Sequence, residues 1–257
     1  MNLVDINSDI GEGFGRWKLG DDEGILAHIT SANIACGIHA GDPLIMDHTV
    51  EKCREASVCV GAHPGFPDLQ GFGRRNMNMS PKEIECYVLY QIGSLNGFAQ
   101  SKGMKLTHVK PHGALYNMAA IDSDVALSVA RAIARSGPDL IMVGLAGSLM
   151  LDAAKKVGIP GASEGFADRS YNPDGTLASR GMPGAVIEDI SEIARRAVQM
   201  VKDEVVLTSS GQEIHLKIDT ICIHGDTPGA TAIAKAVRSS LIENNCKVAP
   251  LWQILGR

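Results

Sequence analysis

Seven apolar runs of strand length divide the sequence, near residues 3–8, 32–36, 58–62, 106–110, 139–144, 159–163 and 218–223, and segments with helical period separate most of them. Strand then helix, repeated, predicts parallel strands, because each helix carries the chain back to the end from which the next strand starts. Parallel strands are covered on both faces, which suits a chain whose apolar load falls on Ala, Gly, Ile and Val while aromatics make up only 4%. At 257 residues the chain has the size of one α/β barrel around one core, so residues 1–257 are expected to form a single domain.

Three helix starts are marked in the sequence. Asp42-Pro43 precedes Leu44 to Ala56, Ser80-Pro81 with Glu83 forms a capping box before Ile84 to Gln100, and Thr227-Pro228 precedes Ala230 to Glu243. On the second helix, Ile84, Tyr87, Val88, Gln91, Ile92, Leu95 and Phe98 make one stripe, which predicts packing against the outside of the sheet. Two long loops, 64–79 and 164–184, are rich in Gly, Pro, Asp and Arg and follow polar strand ends, as functional lids do. Residues 205–218, with Ser209, Ser210, Gly211 and Gln212 at the centre, predict a small edge hairpin.

A net charge of −5 without a basic run argues against nucleic acid or an anionic membrane surface as partner. No run of 18 apolar residues and no signal-peptide pattern occurs, and the cysteines at 36, 53, 59, 86, 222 and 246 form no Cys-x-x-Cys pair. A reduced, cytoplasmic protein is the expectation.

The chemistry gathers where strands stop. Asp5, Asn7 and Asp9 alternate along the first strand and share a face, the interior one in a barrel, and Glu12 follows. Two carboxylates on that face would need a cation, a shared proton or a lysine, although a turn cap or a core partner would account equally well for Asp5. His39 and His63 end the next two strands, and with Asp9 and His112 they offer nitrogen and oxygen ligands for a divalent metal. The same groups serve acid/base catalysis without one. Asp42 is most simply an N-cap, and Asp226 is either a cap or a catalytic group. The stretch Lys110, Pro111, His112, Gly113 sets a cation and an imidazole at the end of the fourth strand. Lys110, with Arg74, Arg75, Arg169 and Arg180 in the loops, could hold a carboxylate or phosphate. His28, His48, His108 and His215 carry bland readings in helix, strand or hairpin. Cys36 is the one cysteine placed for nucleophilic chemistry. There is no P-loop and no dinucleotide fingerprint.

Seven segments together closely resemble the 5-oxoprolinase A-subunit family, also known as lactam-utilisation proteins. They are residues 5–13, 33–43, 61–68, 71–75, 109–117, 164–169 and 224–226, which include Asp5, Asn33, His63, Arg75, Lys110, Glu164 and His224. The resemblance implies a seven-stranded parallel β/α barrel like that of polysaccharide deacetylases. It also implies ATP-dependent opening of 5-oxo-L-proline to L-glutamate, with Mg²⁺ accompanying ATP and two other subunits taking part. Motifs and strand ends together nominate Asp9, Glu12, His39, His63, Lys110 and His112 as catalytic. Arg75, Tyr116, Glu164, Asp168, Arg169 and His224 are nominated to contact substrate. The rival readings are a stand-alone metal-dependent hydrolase of the deacetylase kind and a non-catalytic lactam-binding subunit.

Overall fold

The first strand shows how the sequence divides the molecule. Along β1 (Leu3–Ile10), Val4, Ile6 and Ile10 join the apolar core, while Asp5, Asn7 and Asp9 reach across the barrel interior to polar partners on other strands. The computed structural model describes residues 2–179 and 181–256. In it, β2 (Ser31–Ala35), β3 (Cys59–His63), β4 (Leu106–Val109), β5 (Ile141–Leu145) and β6 (Gly161–Phe166) follow in spatial order. The strands β7 (Val205–Leu207) and β8 (Glu213–His215) form a separate antiparallel hairpin. Then β9 (Thr220–His224) pairs with both β6 and β1, closing a barrel of seven parallel strands. A short β10 (Lys247–Val248) adds to the start of β1 outside that ring.

The outer layer consists of α1 (Asp22–Leu26), α2 (Pro43–Ala56), α3 (Pro81–Ser101), α4 (Gly113–Ile121), α5 (Ser123–Ser136), α6 (Leu149–Val157), α7 (Ile190–Lys202), α8 (Ala230–Glu243) and α9 (Leu251–Ile254). None of the described helices is long and apolar enough to cross a membrane. Asp42 caps α2 through the backbone N–H groups of Leu44 and Ile45, and Ser80 with Glu83 closes the capping box of α3. On α3 the buried stripe is Ile84, Val88, Gln91, Ile92, Leu95 and Ala99, whereas Tyr87 turns to solvent and Phe98 is half-buried. The helix expected over Ala230 to Glu243 forms with those bounds, but Thr227 and Pro228 do not supply its cap and first residue. The chain turns left-handed at Gly229 (φ 80°), so α8 begins at Ala230 and Pro228 belongs to the preceding turn.

Strands β5, β6 and β9 start about two residues later than the apolar runs suggest, because Leu140, Ile159 and Ile218 are buried in the approach to each strand rather than in its ladder. The shift matters at one residue. Glu164, expected to open the second loop, lies within β6 and points into the barrel, fully buried.

A chain of polar side chains runs through the barrel interior, the main apolar core lies between the strands and the helices, and a smaller apolar cluster joins Ile141, Val143 and Ala162 to Leu251. At the amino-terminal end Asp5 accepts hydrogen bonds from the hydroxyls of Thr30, Ser31 and Thr220. Burial nevertheless pushes its carboxyl up to about 6. In the middle, Asn7 donates to Glu164 (2.9 Å) and Thr220 (2.7 Å), and Asn33 donates to Asn7 (2.7 Å) and Asp9 (2.8 Å). His108 fills the adjacent space and sits 2.9 Å from Asn33 Oδ1, with burial bringing its pKa down to about 3. Residue 61 is glycine for this reason, since a Cβ there would collide with the His108 ring.

Candidate functional site

The carboxyl-terminal mouth collects the side chains that end β1, β3, β4 and β9. Lys110, one residue beyond β4, extends into the interior, where its Nζ lies 2.9 Å from Asp9 Oδ1, 3.0 Å from Glu164 Oε1 and 3.0 Å from Cys222 Sγ. Burial works against its charge, but Asp9, Cys222 and Glu164 outweigh it and hold the ammonium well above the usual lysine range. Burial likewise opposes the Asp9 carboxylate, while His63 and Lys110 more than compensate and hold it well below the ordinary range. The sequence suggests an ammonium aimed at an anionic ligand. In the structure Lys110 is bonded to groups of the barrel itself, and there it holds the buried Asp9 carboxylate charged and in place.

Beside this pair stands an imidazole cluster. His63 Nδ1–H donates to the Lys110 carbonyl (2.7 Å), and His112 Nε2–H donates to the Phe72 carbonyl (2.8 Å). Those bonds fix both tautomers and turn His63 Nε2 and His112 Nδ1 towards each other at 3.0 Å. Glu12 Oε1 lies 3.2 Å from His112 Nδ1, 3.8 Å from His63 Nε2 and 3.1 Å from His39 Nε2. The His39 ring lies flat on His112, 3.7 Å away and 5° from parallel, whereas His63 and His112 are perpendicular. Burial opposes the Glu12 charge, yet the adjoining imidazoles of His112 and His39 hold its carboxyl far below the usual range. Burial lowers His39, to about 3, and also lowers His112. Phe72, whose carbonyl orients His112, has φ 53°, an uncommon backbone state for a bulky side chain.

Of the expected metal set, the three histidines do converge, but Glu12 rather than Asp9 completes the compact group. Asp9 falls into a second group with Cys222 and His224. The Lys110 ammonium bonds to both Asp9 and Cys222, so that group already holds a cation. Cys222 is the interior residue that sequence reasoning passed over, because Ile221 and Ile223 make its surroundings look like ordinary core.

A cavity of about 670 Å³ opens above these groups, and Asp9, Glu12, His63, Lys110 and His112 form part of its wall. Tyr116, Arg169 and His224 also reach it. His224 Nδ1 is bound to Asp168 Oδ2 at 2.8 Å, which leaves Nε2 for the cavity side, and its ring stacks on Phe166. The remaining nominated residues stand back from this wall: His39 behind Glu12, Glu164 beneath Lys110, Asp168 behind His224, and Arg75 gripping Asp68. Arg74 rather than Arg75 lines the mouth, and its guanidinium meets Asp226 at 2.6 Å. Asp226 is therefore an ion-pair partner and not the cap of α8. Arg180 lies outside the described residues. Cys36 is buried and its thiol is pushed up to about 12 by that burial, which removes it as a nucleophile.

The sequence profile of the LamB/YcsF family matches residues 4–256. A relative from Pyrococcus horikoshii, named as the A subunit of 5-oxoprolinase, is 52% identical over 252 residues, covering 98% of this chain and 99% of that protein. One of the same name from Clostridium beijerinckii is 50% identical, covering 99% and 100%. The crystal structure of a lactam utilization protein from Thermus thermophilus superposes with a TM-score of 0.91 at 44% identity, over 96% of this chain and 98% of that one.

Proposed function

The chain belongs to the LamB/YcsF family, and on that footing we propose that it is the A subunit of an ATP-dependent 5-oxoprolinase, opening the ring amide of 5-oxo-L-proline to L-glutamate together with two partner subunits. The observation that carries this reading is likeness over nearly the whole chain to relatives named as the A subunit of 5-oxoprolinase. The cavity agrees with it in kind, being of small-ligand size and lined by a few convergent polar groups.

A five-membered lactam is a stable amide with an attached carboxylate. Arg74, at the mouth, engages Asp226 through one guanidinium nitrogen and keeps its other N–H donors to receive that carboxylate. His224, oriented by Asp168, offers Nε2 as the proton acceptor for the attacking water. Lys110 keeps Asp9 ionised at the floor of the cavity, and Glu12 with its imidazoles forms the opposite polar wall. ATP, with Mg²⁺, supplies activation of the amide oxygen. Phosphoryl transfer needs several cations around the transferred group. Lys110 is committed to Asp9 and Glu164, and the sequence holds no standard nucleotide motif. The partner subunits are therefore assigned the rest of the nucleotide site.

The test is release of ADP and glutamate by the purified chain, with and without its two partners at matched concentration. Both products are expected only with the partners. Both from the chain alone would overturn the division of the site, and glutamate without ADP would replace the ATP-dependent reading with that of a stand-alone hydrolase.

A further inference from the structure

We propose that His63, His112 and Glu12 form a binding site for one divalent transition-metal ion of the zinc class, with an open position facing the cavity and with His39 as an outer support of Glu12. His63 Nε2, His112 Nδ1 and Glu12 Oε1 form a triangle with edges of 3.0, 3.2 and 3.8 Å. Metal–ligand bonds of 2.0–2.2 Å in tetrahedral arrangement require ligand atoms about 3.3 Å apart, so the triangle already has the dimensions of one face of such a site. The two rings stand at 90°, which lets both in-plane lone pairs point to a common centre. Each ring also donates its other N–H to a backbone carbonyl, the arrangement that fixes metal-ligating imidazoles.

A proton on His63 Nε2, which also lies 3.4 Å from Asp9 Oδ2, bridges only one pair of acceptors at a time, whereas a metal ion uses all three ligand atoms of the triangle. His39 does not ligate alongside His112. Their rings are parallel and 3.7 Å apart, so an ion in the plane of one lies far out of the plane of the other. Its place is to hold Glu12 through Nε2, at 3.1 Å. All three ligands line the cavity, so the face away from them is open to water or substrate. Two histidines and a glutamate with an open position are the donor set of a Lewis-acid hydrolytic site.

The experiment is titration of chelator-treated, full-length protein with Co(II) and Zn(II). Binding is followed by calorimetry and by the visible absorption of bound cobalt, with the fold of each variant checked by its melting curve. One ion per chain and a cobalt spectrum of low coordination number are expected. His63→Asn and Glu12→Gln should abolish the spectrum. His39→Asn should keep it while weakening affinity about tenfold to a hundredfold, as loss of an outer-shell partner does. Absence of stoichiometric binding by the wild-type protein overturns the proposal whether or not any variant folds. A spectrum unchanged in Glu12→Gln, or lost in folded His39→Asn, overturns the ligand assignment. The site shares its cavity with the proposed lactam reaction, yet the two readings fail separately. Cobalt binding without lactam opening by the complete complex refutes only the function proposed above, and lactam opening with Mg²⁺ and ATP by a complex that binds no cobalt or zinc refutes only the metal site.

Discussion

Replacing Lys110 by methionine keeps the length and most of the volume of the side chain and removes only its charge. In the wild-type barrel the ammonium lies 2.9 Å from Asp9 and 3.0 Å from Glu164, and all three residues are less than a tenth exposed. Removing one partner from a buried ion pair costs about 3–5 kcal/mol, because the other charge is left without compensation. Here the ammonium faces two carboxylates, so the upper half of that range is expected. For a chain of this size each kcal/mol moves the melting temperature by about 2–4 °C, so Lys110→Met should melt roughly 8–20 °C below wild type. Thermal and denaturant unfolding of Lys110→Met, Glu164→Gln and the double variant would measure it. Neutralising Glu164 in the Lys110→Met background should recover part of the loss, giving a coupling energy of about 1–3 kcal/mol. A single variant melting within about 2 °C of wild type, or strict additivity of the two changes, would refute the argument that Lys110 acts mainly inside the barrel.

Two further outcomes are expected. Asp5, whose carboxyl burial pushes up to about 6, binds its proton more tightly folded than unfolded. The stability this lends is full below about pH 4 and is lost as pH rises through about 6, so Asp5→Asn should gain over wild type between pH 4 and 7. Melting curves of both proteins over that range check this, and a difference independent of pH would count against it. Arg74→Ala should raise KM for 5-oxoproline about tenfold in the assembled complex with little change in kcat, as loss of uniform substrate binding does. Because Arg74 is partly exposed at the mouth, unfolding should shift by no more than about 0.5 kcal/mol; an unaltered KM would remove Arg74 from substrate binding.

Much of the site was legible because it lies at strand ends, where the sequence switches from apolar runs to Gly, His and carboxylates. Asp9, His63 and Lys110 each follow an unmistakable run, and period-two alternation places Asp5, Asn7 and Asp9 on the inner face from residue order alone. What stayed hidden depended on contacts between distant residues. Nothing local distinguishes Asp226 as the partner of Arg74, 152 positions away, from an Asp that caps a helix. The exchange of Glu12 for Asp9 in the imidazole cluster is set by how the turn through Gly11 and Gly13 folds back over β2, and that is a matter of backbone path rather than residue type. Cys222 could not be found by pattern at all, since an interior polar contact and an apolar core contact look alike when the flanking residues are isoleucines.

The barrel is closed by pairing β1 with β9, and Asp9 stands in register with His224 at the upper end of that seam. The seam joins residues some 215 positions apart, as Asp5 and Thr220 do at its lower end. Bringing such distant segments together carries the largest chain-entropy penalty of any strand pairing in the ring, and it is rewarded only after the intervening strands have assembled. On this entropic ground the seam is expected to close last in the ring. Because the floor of the cavity straddles it, refolding chains will regain helical signal and barrel-sheet signal before they regain a competent pocket, and partial opening at this seam will dissolve the pocket while most of the molecule remains folded.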